Sequence, residues 1–216
     1  MINVLYEDNH LIVVEKPAGV LSQEDATKDP DMLTILKQYL KEKYHKLGNV
    51  YLGLVHRLDR MTSGIMVFAK TSKAASRLSE QIRNHQFEKR YYAVVKGSVP
   101  ETGELKDYLI KNEMLVKSFV TTKELGKIAI LTFQKVKEVD KQSVVRVQLK
   151  TGRHHQIRAQ FANFGHPIVG DHLYDSLASG DLMLHAYYLS FYHPISKEEM
   201  TFTLLPTDEK WQKYVS

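Results

Sequence analysis

The chain has 216 residues, enough to bury a core without disulfide or metal staples. It contains no cysteine, which excludes disulfides and thiolate metal sites and fits a reducing compartment. A net charge of +5 and a pI near 9.1 lean toward polyanionic partners, while 43% hydrophobic and 25% charged residues are the ordinary balance of a soluble globular protein. Residues 1–8 lack the basic start and long apolar run of a signal peptide. No stretch reaches the roughly 20 apolar residues that span a bilayer, so the expected setting is cytoplasmic, away from membranes.

In chain order, Leu11-Ile12-Val13-Val14-Glu15 reads as a buried strand stopped by Lys16-Pro17-Ala18-Gly19. Residues 33–44 place Leu33, Leu36 and Leu40 at helical spacing. Residues 50–55 read as extended and lead into His56-Arg57-Leu58-Asp59-Arg60. After Thr62-Ser63-Gly64, Ile65-Met66-Val67-Phe68-Ala69 reads as a second strand. Thr71 or Ser72 can cap a helix whose Ala74, Ala75, Leu78 and Ile82 share one face. Residues 91–95 resume strand character, and residues 104–149 alternate in the manner of an antiparallel meander. Thr151-Gly152 turns into an expected helix over 153–164, with Ile157, Phe161 and Phe164 as its apolar stripe and Gly165 just past its end. Residues 183–205 return to strands. There is no repeat and no linker. The expected fold is α+β, a mixed and mainly antiparallel sheet core with flanking helices.

Three segments carry chemistry. Residues 56–64 form a polar loop between apolar strands, with Asp59 flanked by Arg57 and Arg60 and followed by two hydroxyls and a glycine. Such a setting keeps a carboxylate ionised and aimed, although an Asp–Arg surface turn has the same composition. In Thr151-Gly152-Arg153-His154-His155-Gln156-Ile157-Arg158, a helix held down by Ile157 and Phe161 turns Arg153, His154 and Arg158 toward a groove. A solvated basic face is the alternative. In the third segment, Lys89 and Arg90 beside Tyr91 and Tyr92 suit phosphate contact and base stacking. The two tyrosines must point to opposite faces of a strand, so one at most serves a given site.

Taken with their order, these residues resemble the RluA-type pseudouridine synthases. His56-Arg57-Leu58-Asp59 with Thr62-Ser63-Gly64 resembles the family signature. Tyr6-Glu7-Asp8 with Val13-Val14-Glu15-Lys16-Pro17-Ala18-Gly19 resembles its opening strand and turn. Lys89, Tyr91, Ala93 and Gly97 match its tyrosine strand. Gly152-Arg153, His155-Gln156-Ile157-Arg158, Gly165, Pro167-Ile168 and Gly170-Asp171 match a later motif, and Leu184-His185-Ala186 with Phe191, His193 and Pro194 closes the series. The resemblance implies one catalytic domain over residues 1–216 with a central catalytic cleft and no cofactor or metal. Its substrate would be a uridine in structured ribosomal or transfer RNA.

By the same resemblance Asp59 is the catalytic carboxylate, Arg158 its partner and Tyr91 the ring beside the target base. Leu184 sandwiches the uracil, and Arg57 fills the space left when the base swings out. Lys89, Arg153, His155 and Arg60 belong to the RNA-binding set. His56 and His185 would make structural hydrogen bonds under the loop. Many members carry an S4-type RNA-binding domain; here the opening strand starts too early for one, so RNA grip is expected from the catalytic domain alone. Residues 21–49 and 98–142 follow the family loosely and are expected to shape substrate choice, and nothing demands an oligomer. Two other readings remain open. His154-His155, His166 and His172 invite a metal site, though without thiolates or a His-Glu-x-x-His segment. An RNA-binding factor without catalysis would use the same basic and aromatic surface.

Overall fold

A computed structural model describes residues 2–215, arranged as two compact units. One unit runs to Glu88 and adds Tyr188–Leu204; the other spans Lys89–Tyr187 and resumes at Leu205.

In the first unit, β1 (Val4–Glu7), β2 (Leu11–Lys16) and β4 (Ser63–Ala69) lie side by side and antiparallel, with the short β3 (Gly53–Leu54) also on β4. The apolar run of residues 50–55 therefore yields only two strand residues. β1 is a strand that alternation over four residues was too short to announce. Both faces of β2 and β4 are closed: Leu11, Val13, Ile65 and Val67 pack with Ala74 and Leu78, while Ile12, Val14, Met66 and Phe68 on the opposite face are fully buried. Burial on two faces explains why both strands read as continuous apolar runs.

Helix α1 (Met32–Lys43) starts at Asp31, whose carboxylate accepts from Thr34 N at 3.1 Å, and buries Met32, Leu36 and Leu40. Its last turn is pinned to β1 because Glu7 accepts from Lys43 (2.7 Å), Lys70 (2.8 Å) and Tyr44 (2.7 Å). Helix α2 (Ser72–Arg83) is capped by Thr71, as the sequence suggested. The Gln81 amide then donates to Tyr192 O and accepts from Tyr192 N, both at 2.8 Å, fixing the end of β10 (Leu184–Tyr192). β10 turns back into β11 (Glu199–Thr203).

In the second unit, β5 (Glu88–Lys96), β6 (Thr102–Asn112), β7 (Lys117–Thr121), β8 (Lys127–Val139) and β9 (Gln142–Leu149) form an antiparallel sheet in the order β5-β9-β8-β6-β7. A simple meander would put β7 between β6 and β8. Instead β6 carries β7 on one edge and pairs with β8 on the other, with Leu105 opposite Leu131. Period-2 patterning identifies strands and faces but not which hairpin folds back on which, so this correction was beyond its reach.

Helix α3 (Gln156–Asn163) begins three residues later than its sequence suggested. His155 takes a left-handed conformation (φ 50°), and the Gln156 side chain braces the turn before it, accepting from Arg153 N (2.9 Å) and Thr151 Oγ1 (2.8 Å) and donating to Ile130 O (3.1 Å). Arg153 and His154 therefore precede the helix rather than share a face with Arg158. Ile157 and Phe161 are buried as expected, Phe161 against Phe133, but Phe164 is 38% exposed. Gly165 (φ 86°) ends the helix: its N–H goes to Ala162 O and that of His166 to Phe161 O, the paired bonds of a Schellman turn. The chain closes with a 3-10 turn (Glu209–Trp211) and α4 (Gln212–Val215), Trp211 being fully buried beside His185. Among the described residues no helix is long and apolar enough to cross a membrane.

Candidate active site

The Asp59 loop is anchored from beneath by three side chains of its own unit. Ser22 Oγ donates to Leu58 O (2.7 Å) and accepts from Leu58 N (3.1 Å). His56 Nε2 accepts from Val67 N at 3.1 Å, a structural bond of the kind expected of it. Lys16, fully buried at the end of β2, donates to the carbonyls of Pro17 (2.9 Å), Val20 (2.7 Å) and Arg60 (2.9 Å). An ammonium carries three N–H donors on one nitrogen, one for each of these carbonyls. Burial pushes Lys16 down to about 7, and the charge of Asp59 works against that while Arg60 adds to it.

The loop's own turn is closed by Thr62 N on Asp59 O at 3.0 Å, and Gly19 N reaches Arg60 O at 2.9 Å. Asp59 is left half-buried and Arg57 exposed. Arg60 is also exposed, but its guanidinium is committed to Asp29 (2.8 Å) and Gly19 O (3.1 Å), so it braces the turn after β2. The backbone around Asp59 is therefore held by bonds within its own unit, as a preorganised site requires.

In the second unit, Tyr91 is buried on the β5 face shared with Ala93 and Val95, and Tyr92 points the other way. Leu184 is buried at the start of β10. Lys89 is half-buried, and burial pushes its ammonium below the ordinary lysine range. A Cβ on Gly152 would lie 3.3 Å from Lys89 Nζ, so the lysine runs over that glycine beside the Arg153 turn. Arg153 itself donates to Ile128 O at 2.8 Å.

Arg158 is the most constrained of the predicted residues. Its Nε and Nη2 each donate to Asp171 at 2.8 Å, the Asp171 side chain having no exposed surface and that of Arg158 only 10%. Nη1 stands 3.1 Å from His155 Nε2, and the guanidinium lies 5.2 Å from the Tyr174 ring centre. A guanidinium can only donate, so His155 must present a lone pair at Nε2 and carry its proton on Nδ1, facing Tyr174 Oη at 3.2 Å. Tyr174 Oη in turn accepts from Ser118 N (2.8 Å) and donates to Ser118 O (3.1 Å). His154 stacks on His155 at 3.8 Å and reaches Ser118 Oγ at 3.0 Å. Arg158 is thus a buried fork held by Asp171 and His155 rather than a solvated surface cation.

Asp171, Lys16, Ser22 and Tyr174 carry this framework, and sequence reasoning assigned none of them a role. Lys16 left one trace, a cation closing an apolar strand. Asp171 left another, since it follows Gly170, where φ is 75° and a Cβ would lie 1.8 Å from Asp181 O. The other histidines of the metal reading also meet protein groups: His166 Nδ1 lies 2.8 Å from Lys96 O, and His172 Nε2 lies 2.8 Å from Gly180 O. Among the described residues no group of three or more His, Asp or Glu is placed to hold a metal ion.

The family model for RNA pseudouridylate synthase matches residues 10–163, a span containing the Asp59 loop, the Tyr91 strand and the Arg158 helix. The chain belongs to the RNA pseudouridylate synthase family. A tRNA pseudouridine synthase C of Yersinia pestis is 32% identical over all of this chain and 90% of its own length. A ribosomal large subunit pseudouridine synthase D of Zymomonas mobilis is 32% identical over 93% of this chain and 68% of its own. The solved human RNA pseudouridylate synthase domain containing 4 superposes with a TM-score of 0.80 at 22% identity, covering 95% of this chain and 88% of that one, which places the fold. This pseudouridine synthase is accordingly an RNA isomerase, built on a mixed, mostly antiparallel sheet with few helices.

Proposed function

We propose that this pseudouridine synthase isomerises specific uridines in structured ribosomal or transfer RNA, with Asp59 as the catalytic carboxylate. Residues 1–216 then work as one catalytic domain. The observation that carries the reading is the triple anchoring of the Asp59 loop by Lys16, Ser22 and His56, which fixes the backbone on both sides of a half-buried carboxylate. The names of the two bacterial relatives, one acting on transfer RNA and one on ribosomal RNA, support the substrate class.

The reaction detaches uracil from ribose, rotates it and rejoins it through carbon. Cleavage develops positive character at the anomeric carbon, and a fixed carboxylate stabilises or captures it. The uridine has to leave its stack first, at a cost of a few kcal/mol that an already open loop reduces. Arg57 fills the vacated space, Tyr91 and Leu184 hold the everted base, and Arg158 supplies the fixed positive charge that keeps the active carboxylate ionised. Lys89, Arg153, His155 and Arg60 belong to the RNA-holding set; of these Arg60 also braces the loop. No cofactor or metal enters the scheme, and a monomer suffices for it.

The test is tritium release from RNA labelled at C5 of uridine. Wild type is expected to release label and Asp59→Asn to release none above background, while both bind RNA equally. Equal release by the two proteins removes Asp59 from the role. A binding factor without catalysis would show no release from either.

A further inference from the structure

The end of α1, in the first unit, gathers more positive charge than its carboxylates balance. Lys46 N donates to Lys41 O (3.0 Å) and His45 N to Glu42 O (3.2 Å), with His45 left-handed at φ 49°. This Schellman turn folds the chain back on the last helical turn and sets residues 41 and 46 side by side. Tyr44 is exposed at the same end. Around its ring centre stand the ammonium groups of Lys70 (4.9 Å), Lys43 (5.6 Å) and Lys46 (5.7 Å).

The nearby carboxylates are already engaged or unpaired with these lysines. Glu7 is enclosed, and its oxygens are taken by Lys43, Lys70 and Tyr44. Asp8 spends its carboxylate on His10 N, Leu11 N and His193, and offers Lys70 only its main-chain oxygen. Glu42 accepts from the Gln38 amide. Lys41 and Lys46 are exposed, and among the described residues neither has a carboxylate at ion-pair distance. Cations at a helix C-terminus answer its dipole, but that role does not call for Lys70, which follows β4, to join them at one ring.

The other end of α1 belongs to the Asp59 loop. Asp29, just before the Asp31 cap, holds Arg60 at 2.8 Å, and Met32 N donates to Leu21 O at 2.8 Å, beside the Ser22 that anchors Leu58. A helix of 12 residues puts its cationic end about 18 Å along the axis from that loop.

We infer that the C-terminal end of α1 grips the phosphodiester backbone of the RNA whose uridine meets Asp59, through Lys41 and Lys46, with Tyr44 and Lys43 shaping the place. The inference rests on the RNA-acting reading above and deepens it: the substrate gains a contact one helix length from the carboxylate, which positions it without reading its bases. Exposed lysines on flexible stems suit a run of phosphates, whereas lysine is depleted where proteins meet proteins.

The experiment measures binding of unfractionated transfer RNA between about 50 and 200 mM salt for wild type, Lys41→Gln, Lys46→Gln, the double variant and Lys46→Arg. Each neutral substitution is expected to lower the slope of log affinity against log salt by about 0.7–0.9, equivalent to about six-fold weaker binding at 0.1 M salt. The double variant should lose about twice that slope, Lys46→Arg should keep it, and KM for tritium release should rise with the loss of affinity. Both positions are exposed, and thermal melts identify any variant that unfolds. Lower melting temperatures with unchanged slopes would mean that the lysines serve only the helix end, and overturn this inference alone. A flat salt response in wild type overturns it together with the RNA-binding reading.

Discussion

Replacing Asp171 by Asn changes one atom and one charge, and the geometry says what that should cost. In the native pair Oδ2 accepts from Arg158 Nε and Oδ1 from Nη2, both at 2.8 Å, with the carboxylate sealed from solvent. Oδ1 also accepts from Leu173 N at 3.2 Å and Tyr174 N at 3.3 Å. An Asn placed to keep Oδ1 satisfies those two and Nη2, but its amide nitrogen then faces Nε, donor against donor. Breaking a buried pair while leaving the other charge in place costs about 3–5 kcal/mol. For a chain of this size about 2–4 °C is lost per kcal/mol, so the melting temperature should fall by about 6–20 °C.

Chemical denaturation of Asp171→Asn measures the loss directly, and tritium release well below the melt measures the effect on chemistry. A fork rotated off its clamp should lower kcat. The double variant Asp171→Asn/Arg158→Met should recover much of the stability, because no orphaned charge remains, yet stay inactive. A single variant that melts within about 2 °C of wild type, or a double variant no more stable than the single, refutes the clamp.

Two further outcomes follow from buried charges in the first unit. Lys16→Met should cost about 3 kcal/mol by stranding three carbonyls, and should abolish activity by loosening the Asp59 loop; urea unfolding and tritium release check both. Because Lys16 titrates at about 7 when folded and near 10.5 when unfolded, the unfolded chain binds more protons between these values. Wild type should therefore gain stability relative to Lys16→Met as pH rises through that window, by at most about 1.4 kcal/mol per unit. Burial alone would raise the Glu7 carboxyl, but hydrogen bonds from Lys43, Lys70 and Tyr44 bring it down to about 2. Its depressed value makes the stabilisation full above the unfolded value of about 4.5 and lost as pH falls through about 2. Melts of wild type and Glu7→Gln should differ by about 3 kcal/mol at pH 6 and converge near pH 2.

Sequence alone determined the local grammar of this protein. Apolar runs bounded by Pro, Gly and hydroxyl residues marked β2 and β4, Thr71 or Ser72 the start of α2, and Gly165 the end of α3, because propensity, capping and turn chemistry act within a few residues. The order of the motifs around Asp59, Tyr91 and Arg158 sufficed to point to the family. Tertiary structure alone decided which hairpin paired with which in the second sheet, since the β6–β8 partnership joins segments that alternation treats as equivalent. It also decided what holds the functional side chains. Asp171 lies 13 residues from Arg158 and Ser22 lies 36 from Leu58, and neither pairing has a period or spacing to announce it. Hydrogen bonds of that range need the folded chain to bring their groups together, and burial strengthens them by removing water as the competing partner.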